Sequence, residues 1–515
     1  MVTETRAGRW LIAIAVMTAA IMELIDTSAV NVSLPYIAGN LSATVEESTW
    51  VLTSYLVSNA IVLPLAGWFS TLFGRKRFYM ICVATFSLAS LACGLAPSLK
   101  ALILFRILQG LGGGALQPIS QAILVESFPK KKQGMAMAVY GMGVVLAPII
   151  GPTLGGWITD SYSWRWIFLI NIPVGILAMT LTGMLIFDPP YLQRRDLSHL
   201  RIDYGGLGFI AVGLGFLEVF LDEGQREDWF SSHLIVASLA IAAACLVAAV
   251  FWELWHRDPV VDLRLLRNRN FAVATGTMFL LGFVLYASTM LLPILLQTLM
   301  GYTALLSGLV LSPGGFAVIL LMPLVGALLA KVEARWLVMA GLLVSAIGLF
   351  RMAAFNLQID FRTAMEARII QSAGLAFLFV PLNTMAFSSI ARERANTATG
   401  LINLARNVGG SAGIATVTTM LARRAQFHQN VLVSHVAPGE GNYHAFLDHA
   451  SRMFAAHGTG PVEAVHQSQG LLYRMLQREA SMQAFIDAFY VLGIIFLAII
   501  PVMLILRPTS LHKHG

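Results

Sequence analysis

An all-α polytopic membrane protein with fourteen spans, arranged as six, two and six, is the fold class this sequence predicts. Three observations carry that prediction. The 515 residues are 57% hydrophobic and only 12% charged, against roughly 25% charged in a soluble domain. Apolar runs of the roughly 20 residues that span a hydrocarbon core recur along the chain. Lys and Arg gather in alternate connections between those runs. A β-barrel is excluded, because its strands would alternate apolar and polar residues and these runs do not.

The runs fall near 10–32, 48–70, 78–96, 101–124, 135–158, 166–187, 205–221, 233–252, 271–295, 304–330, 336–355, 366–390, 400–421 and 484–506. Trp10 to Val32 is too long for a signal-peptide core and no small-residue cleavage site follows it, so it reads as a retained first span. With the N-terminus cytoplasmic, the inner segments carry Arg6/Arg9, Arg75–Arg77, Lys130–Lys132, Arg194/Arg195/Arg201, Arg257/Arg264/Arg267/Arg269, Lys331/Arg335, Arg392/Arg394 and Arg507/Lys513. The short outer loops carry only Lys100, Arg165, Arg226 and Arg362. The asymmetry places both termini inside and accounts for the net charge of +7 without a nucleic-acid partner. Cys82, Cys93 and Cys245 all lie in apolar runs, which points to packing rather than disulfides or metal.

A parallel repeat is visible inside the chain. Leu34-Pro35 returns as Leu292-Pro293, Pro64-Leu65-Ala66-Gly67 as Pro323-Leu324-Val325-Gly326, and Arg106-Ile107-Leu108-Gln109 as Arg368-Ile369-Ile370-Gln371. Pro118 follows in the first copy and Pro381 in the second. Same-direction repeats are related by an axis along the membrane normal. The expected division is therefore a six-helix bundle over 1–202, an inserted two-helix hairpin over 203–255, and a second six-helix bundle over 256–515 that includes an external segment at 423–480.

Several side chains are too polar for their places. Glu23 and Asp26 share one face of the first span, where carboxylates are costly unless they face a bundle interior or aqueous cavity. Desolvation favours the neutral acid and a nearby guanidinium favours the carboxylate, so a buried Asp beside an Arg is a coupling candidate. Arg106 lies within span four, next to Gln109 and a run of glycines. The loop from Gly67 to Arg77 reads as a glycine-led cationic turn suited to helix C-termini and acidic partners across the seam between halves. Gly141 to Gly156, GMGVVLAPIIGPTLGG, is a glycine- and proline-punctuated span of the kind that close helix packing tolerates in a bilayer. Trp164 and Trp166 are expected in an interfacial aromatic belt, and Asp222 and Glu223 in a solvated outer turn. The segment from Arg423 to Ala480 holds six of the eleven histidines, His428, His435, His444, His449, His457 and His466. Their spacing matches no zinc motif. It also carries amphipathic pieces at Tyr443–Ala456 and Gln467–Glu479.

Together these residues resemble a 14-span drug:proton antiporter of the major facilitator superfamily, of the EmrB/QacA type and nearest its EmrB branch, over nearly the whole chain. Gly151-Pro152-x-x-Gly155-Gly156 is similar to the antiporter motif on that family's fifth span. Asp26-x-Ser28-x-x-Asn31-Val32-x-x-Pro35 resembles its D-x-T-x-x-N-V-x-x-P signature, with Ser28 for Thr. Gly67 to Arg77 resembles G-x-x-x-D-x-x-G-R-K-x, but Thr71 stands where the motif has Asp, so the usual Asp-based contact between helices is not expected. Arg106-x-x-Gln109-Gly110 resembles the span-four proton-transfer motif. Leu221-Asp222-x-Gly224, Val261-Asp262-Leu263 and Gly301-Tyr302-Thr303-Ala304 resemble the EmrB branch more narrowly.

The resemblance implies a major facilitator fold and proton-driven export of small hydrophobic or amphiphilic compounds, with no cofactor beyond the proton gradient. It implies proton coupling through Asp26, Arg106 and Glu23, and gating by Gly67, Gly74, Arg75 and Lys76. Asn31, Gln109 and Asn171 would line the substrate cavity. In a Gram-negative inner membrane it also implies a periplasmic adaptor and an outer-membrane channel as partners. An uptake symporter on the same fold is the alternative. A membrane-embedded enzyme would want an intramembrane cluster of His, Ser or acids, and His is absent from the expected bundle core. No phosphate-binding GxxxxGK[ST] loop is present, which excludes an ATP-driven pump of that kind.

Overall fold

Apolar runs of this length leave the backbone one inexpensive solution in lipid, internal hydrogen bonding in helices. In a computed structural model of the chain, which describes residues 6–187, 203–256, 259, 261–329, 331–387, 390, 394–436 and 441–504, all regular structure among those residues is helical. The cationic positions 194, 195, 201, 257, 392, 507 and 513 lie outside the described residues.

The N-terminal half runs through α1 (Arg6–Asn40), a short α2 (Val45–Ser48), α3 (Trp50–Phe73), α4 (Arg75–Gly94), α5 (Leu99–Gly113), α6 (Leu116–Ser127), α7 (Lys130–Ser161), α8 (Arg165–Leu169) and α9 (Asn171–Leu185). A hairpin follows, α10 (Tyr204–Glu223) and α11 (His233–Trp255). The C-terminal half comprises α12 (Arg269–Thr298), α13 (Ala304–Leu328), α14 (Ala334–Ala353), α15 (Phe361–Phe387), α16 (Ala395–Ser434), α17 (Gly441–Ala456) and α18 (Pro461–Met503). Side-chain caps start several of these helices. Ser98, Asp203, Asn268 and Thr303 accept from backbone N–H groups of the first turns of α5, α10, α12 and α13.

Among the described residues twelve helical stretches are long and apolar enough to cross a membrane, with α5 and α6 forming one of them. The other two of the expected fourteen crossings are α7 and α16, of 32 and 40 residues. Helix α16 is diluted by Gly, Thr and Asn, α7 is an apolar helix punctuated by Gly and Pro, and both lie against several other helices rather than standing at the edge. A span lined by protein does not need to be apolar all round.

Within the N-terminal half α1 packs on α6, α7 and α9, and α3 on α5. In the C-terminal half α12 packs on α15 and α16, while α14 packs on α15 and α18. Contacts of α7 with α13, and of α16 with α3 and α6, join the halves. Helix α10 touches both α3 and α16. It does so through its acids. Thr53 donates to Asp222, and Ser411 donates to Glu218 at 2.5 Å.

Three sequence expectations change here. Gly67 is inside α3, and the break is at Gly74, whose φ of 82° is costly for any other residue. Glu223 is buried, so the hairpin's acidic end is not a solvated turn; the reach of Thr53 from α3 covers it. Trp164 is buried beneath Arg165 and only Trp166 is exposed. The 423–480 segment is largely helix. It consists of the end of α16, then α17, then the first turns of α18.

Candidate functional site

Asp26 sits in the middle of α1 with 1% of its surface exposed. An ionised carboxylate there needs a counter-charge and hydrogen bonds on both oxygens. Arg106 of α5 supplies the charge, its guanidinium donating to Asp26 Oδ2 at 2.7 Å. Asn171, the first residue of α9, donates to Oδ1 at 2.6 Å, and Gln109 donates to the same oxygen at 3.2 Å. The break between α8 and α9 brings Asn171 to this depth. Arg106 is held in turn by Gln109 Oε1 at 2.8 Å, by the Val51 carbonyl at 3.0 Å, and by the Tyr55 ring 4.2 Å away. Ser90 accepts from both Gln109 and Asn171. One ion pair is thus compensated within the N-terminal half.

Glu23, one turn earlier on α1, has a different shell. Tyr55 donates to it at 2.8 Å, Asn59 at 3.2 Å and Gln117 at 2.6 Å. None of these is a cation. The charge arrives one step later and from the other half, because Arg406 of α16 donates to Gln117 Oε1. Tyr55 joins the two acids, its hydroxyl on Glu23 and its ring under Arg106. A turn beyond Gln117, Gln121 donates to Asn383 of α15 at 2.6 Å and accepts from Asn403 of α16 at 2.8 Å. A buried polar seam therefore runs from Glu23 into the C-terminal half.

Asn31 is not part of this network. Five residues after Asp26 is roughly 140° around a helix, and its side chain is exposed. Gln109 and Asn171 are buried and both bind Asp26. Arg75 pairs with Glu126 of α6, and Lys76 donates to the Gly183 carbonyl near the end of α9 at 2.6 Å. Both of these partners lie in the same half, because α4 starts directly beside the ends of α6 and α9. The Thr71 side chain lies outside the described residues.

Gly151 and Gly155 bring α7 onto α1. A Cβ at Gly151 would come within 1.8 Å of Ser28 Oγ, and one at Gly155 within 2.8 Å of the Ala29 carbonyl. Gly156 has room for one, and Pro152 is half-buried. The same device appears 258 residues on, the offset of the Pro35 and Pro293 repeat. There, Gly409 and Gly413 of α16 meet the Phe279 and Phe283 carbonyls of α12 at 2.0 and 2.2 Å.

Gln117, Gln121, Asn383, Asn403 and Arg406 escaped the sequence reading. Their signal was present as amides and a cation inside apolar runs, Gln117 with Gln121 and Asn403 with Arg406 at one-turn spacing. At the far end of α16, His428 and Arg424 converge on Asp487 of α18 at 2.7 and 2.5 Å. Among the described residues no group of three or more His, Cys, Asp or Glu is placed to hold a metal ion.

Residues 16–414 match the family described as Major Facilitator Superfamily. The fatty acid resistance protein FarB of Neisseria gonorrhoeae is 35% identical over 96% of each chain. The multidrug export protein EmrB of Haemophilus influenzae is 37% identical over 83% of each chain. EmrB of Escherichia coli is 33% identical over 97% of this chain and 95% of that one. A double-Trp variant of XylE aligns over 98% of each chain at a TM-score of 0.60 and 12% identity. The human organic anion transporter MFSD10 aligns at 0.56 over 95% of this chain and 99% of that one, again at 12% identity, a likeness of fold.

Proposed function

This chain belongs to the Major Facilitator Superfamily, and from that premise we propose that it is a proton-driven multidrug efflux transporter. It exports hydrophobic or amphiphilic compounds by alternating-access antiport. Relatives named for multidrug export, fatty acid resistance and colistin resistance support the substrate class, and all point to transport rather than catalysis. The observation that carries the proposal is the Asp26–Arg106 pair sealed inside the helical bundle.

Antiport requires that proton and substrate not be held equally well at once. A proton on Asp26 cancels the charge that Arg106 answers, leaving the guanidinium to Gln109, the Val51 carbonyl and the Tyr55 ring. Because Tyr55 also holds Glu23, and Glu23 holds Gln117 and through it Arg406, that change reaches the seam between the halves. The bodies 1–202 and 256–515 would rock about this seam, with the 203–255 hairpin bonded to both. Gly74, Arg75 and Lys76 order the end of α4 as it moves. The energy comes from the proton gradient, with no cofactor.

The protein would lie in a bacterial inner membrane with both termini cytoplasmic. The projecting ends of α16 and α18, with α17, expose Phe427, Val431, Met453, Val462 and Tyr473. That surface suits a periplasmic adaptor leading to an outer-membrane channel.

Purified protein in proteoliposomes, driven by an imposed pH gradient with ethidium as probe, tests the reading. Asp26→Asn should abolish gradient-driven transport while counterflow exchange persists, and Glu23→Gln should reduce it less. Wild-type coupling in Asp26→Asn would make Asp26 structural. Ethidium moving with the protons rather than against them would favour the symporter.

A further inference from the structure

The C-terminal half keeps the arginine of the repeat but not its acid. Arg368 and Gln371 of α15 stand where Arg106 and Gln109 stand in the first half, and Arg368 donates to Gln371 Oε1 at 2.8 Å just as Arg106 does to Gln109. Asp26 lies nine residues before Pro35, and the residue nine before Pro293 is Val284. Tyr55 lies nine before Pro64, and the residue nine before Pro323 is Gly314. The second copy has therefore lost both the carboxylate and the aromatic ring that answer the guanidinium in the first.

Arg368 is 1% exposed, and among the described residues no acid lies within ion-pair distance of it. Its other partner is the Thr289 hydroxyl at 3.2 Å, and its Nε has no hydrogen-bond partner. Ser372 Oγ, also fully buried, has none either. Both residues lie one turn apart on α15 and pack on Gly314 of α13, where an added Cβ would be 2.6 Å from Ser372 Oγ and 3.2 Å from the Arg368 stem at Cγ. Removing a cation from water without an anion is costly, and a guanidinium fork is matched by a planar two-oxygen anion. The other buried cation of this half, Arg406, already reaches Glu23 through Gln117.

We propose that Arg368, with Ser372 and Thr289, forms an anion subsite that takes the carboxylate headgroup of an amphiphilic substrate. The helices around it, α12 and α13, bury Val284, Leu292, Val310 and Val318, which suits an apolar tail beside the headgroup. The place is too tight beside Gly314 to admit a headgroup without movement of α13. Pro313 and Pro323 make that movement cheaper, because each leaves one carbonyl of the α13 ladder without its N–H partner. The inference rests on the export reading and names one substrate class for it, alongside cations that the first-half acids would serve.

Equilibrium binding of radiolabelled decanoate to the purified full-length chain in detergent tests the subsite separately from transport. Arg368→Gln should weaken decanoate binding by at least about tenfold, as loss of a charge-assisted bidentate contact does. Val284→Asp should do the same with Arg368 still present, because it restores inside the protein the carboxylate that the first half carries. In both variants tetraphenylphosphonium transport in proteoliposomes should stay within about twofold, since the cation subsite is untouched. Arg368→Lys should recover part of the binding. Saturable decanoate binding that is unchanged in Val284→Asp, or absent from the wild type, overturns the subsite. Displacement of decanoate by an equal concentration of chloride would make it an inorganic-anion site and overturn the amphiphile assignment. Failure of the wild type to move tetraphenylphosphonium removes the export reading, while the detergent measurement still decides the subsite.

Discussion

The two halves place an Arg-x-x-Gln pair on the corresponding helix of each repeat and then surround it differently. Around Arg106 stand a carboxylate, an amide, a carbonyl and two aromatic rings. Around Arg368 stand one amide and one hydroxyl. The backbone packing of the halves is meanwhile alike, with paired glycines drawing the fifth long helix of each onto its first. What the repeats share is the close approach of helices; what separates them is how a buried charge is answered. Gly151 and Gly155 of the antiporter-like motif have packing equivalents in the other half, whereas Asp26 and Tyr55 have no chemical equivalents at Val284 and Gly314.

The sharpest way to break that comparison is to remove each arginine. Arg106→Ala strands Asp26 in the interior and should cost about 3–5 kcal/mol of stability. Arg368→Ala strands no acid and should cost about 1–3 kcal/mol, the penalty of unpaired neutral partners. Thermal unfolding of the two detergent-purified variants measures the gap, and equal losses would erase the distinction between the halves.

A smaller effect sharpens the shared part. Gly155→Val and Gly413→Val should each destabilise by about 1–3 kcal/mol through overpacking, while Gly208→Ala, which has nothing within 4 Å, should be close to neutral. A harmless Gly155→Val would mean that the α1–α7 contact is slack and that the glycine serves something other than packing.

Smallest should be the bonds by which the inserted hairpin joins each half. Thr53→Val and Ser411→Ala each remove a hydrogen bond from an acid of α10, worth about 1.5–3 kcal/mol at most for a charged acceptor and less where the acid can rearrange. Proteolysis or hydrogen exchange in α10 should rise comparably in both. Loosening in Thr53→Val alone would assign the hairpin to the N-terminal half.

The sequence by itself determined the helical class, nearly all the crossings, the parallel repeat and the first-half charges. Each of those is local: apolar run length marks a span, and a lone Asp26 or Arg106 in such a run is conspicuous because hydrocarbon cannot solvate it. The weak hydropathy of α16 belongs with these, since dilution by polar residues marks a helix that faces protein. The tertiary structure alone decided who answers whom. Asp26 meets Arg106 across 80 residues and Glu23 meets Gln117 across 94, with Arg406 a further 289 beyond Gln117. It also decided that Asn31 turns away, that the hairpin acids are covered, and that Arg368 is left with no acid among the described residues. Those outcomes depend on the rotation of each helix about its own axis. Rotation is set by the packing of neighbours such as Gly151 against Ser28 and Gly413 against Phe283, contacts that no single stretch of sequence contains.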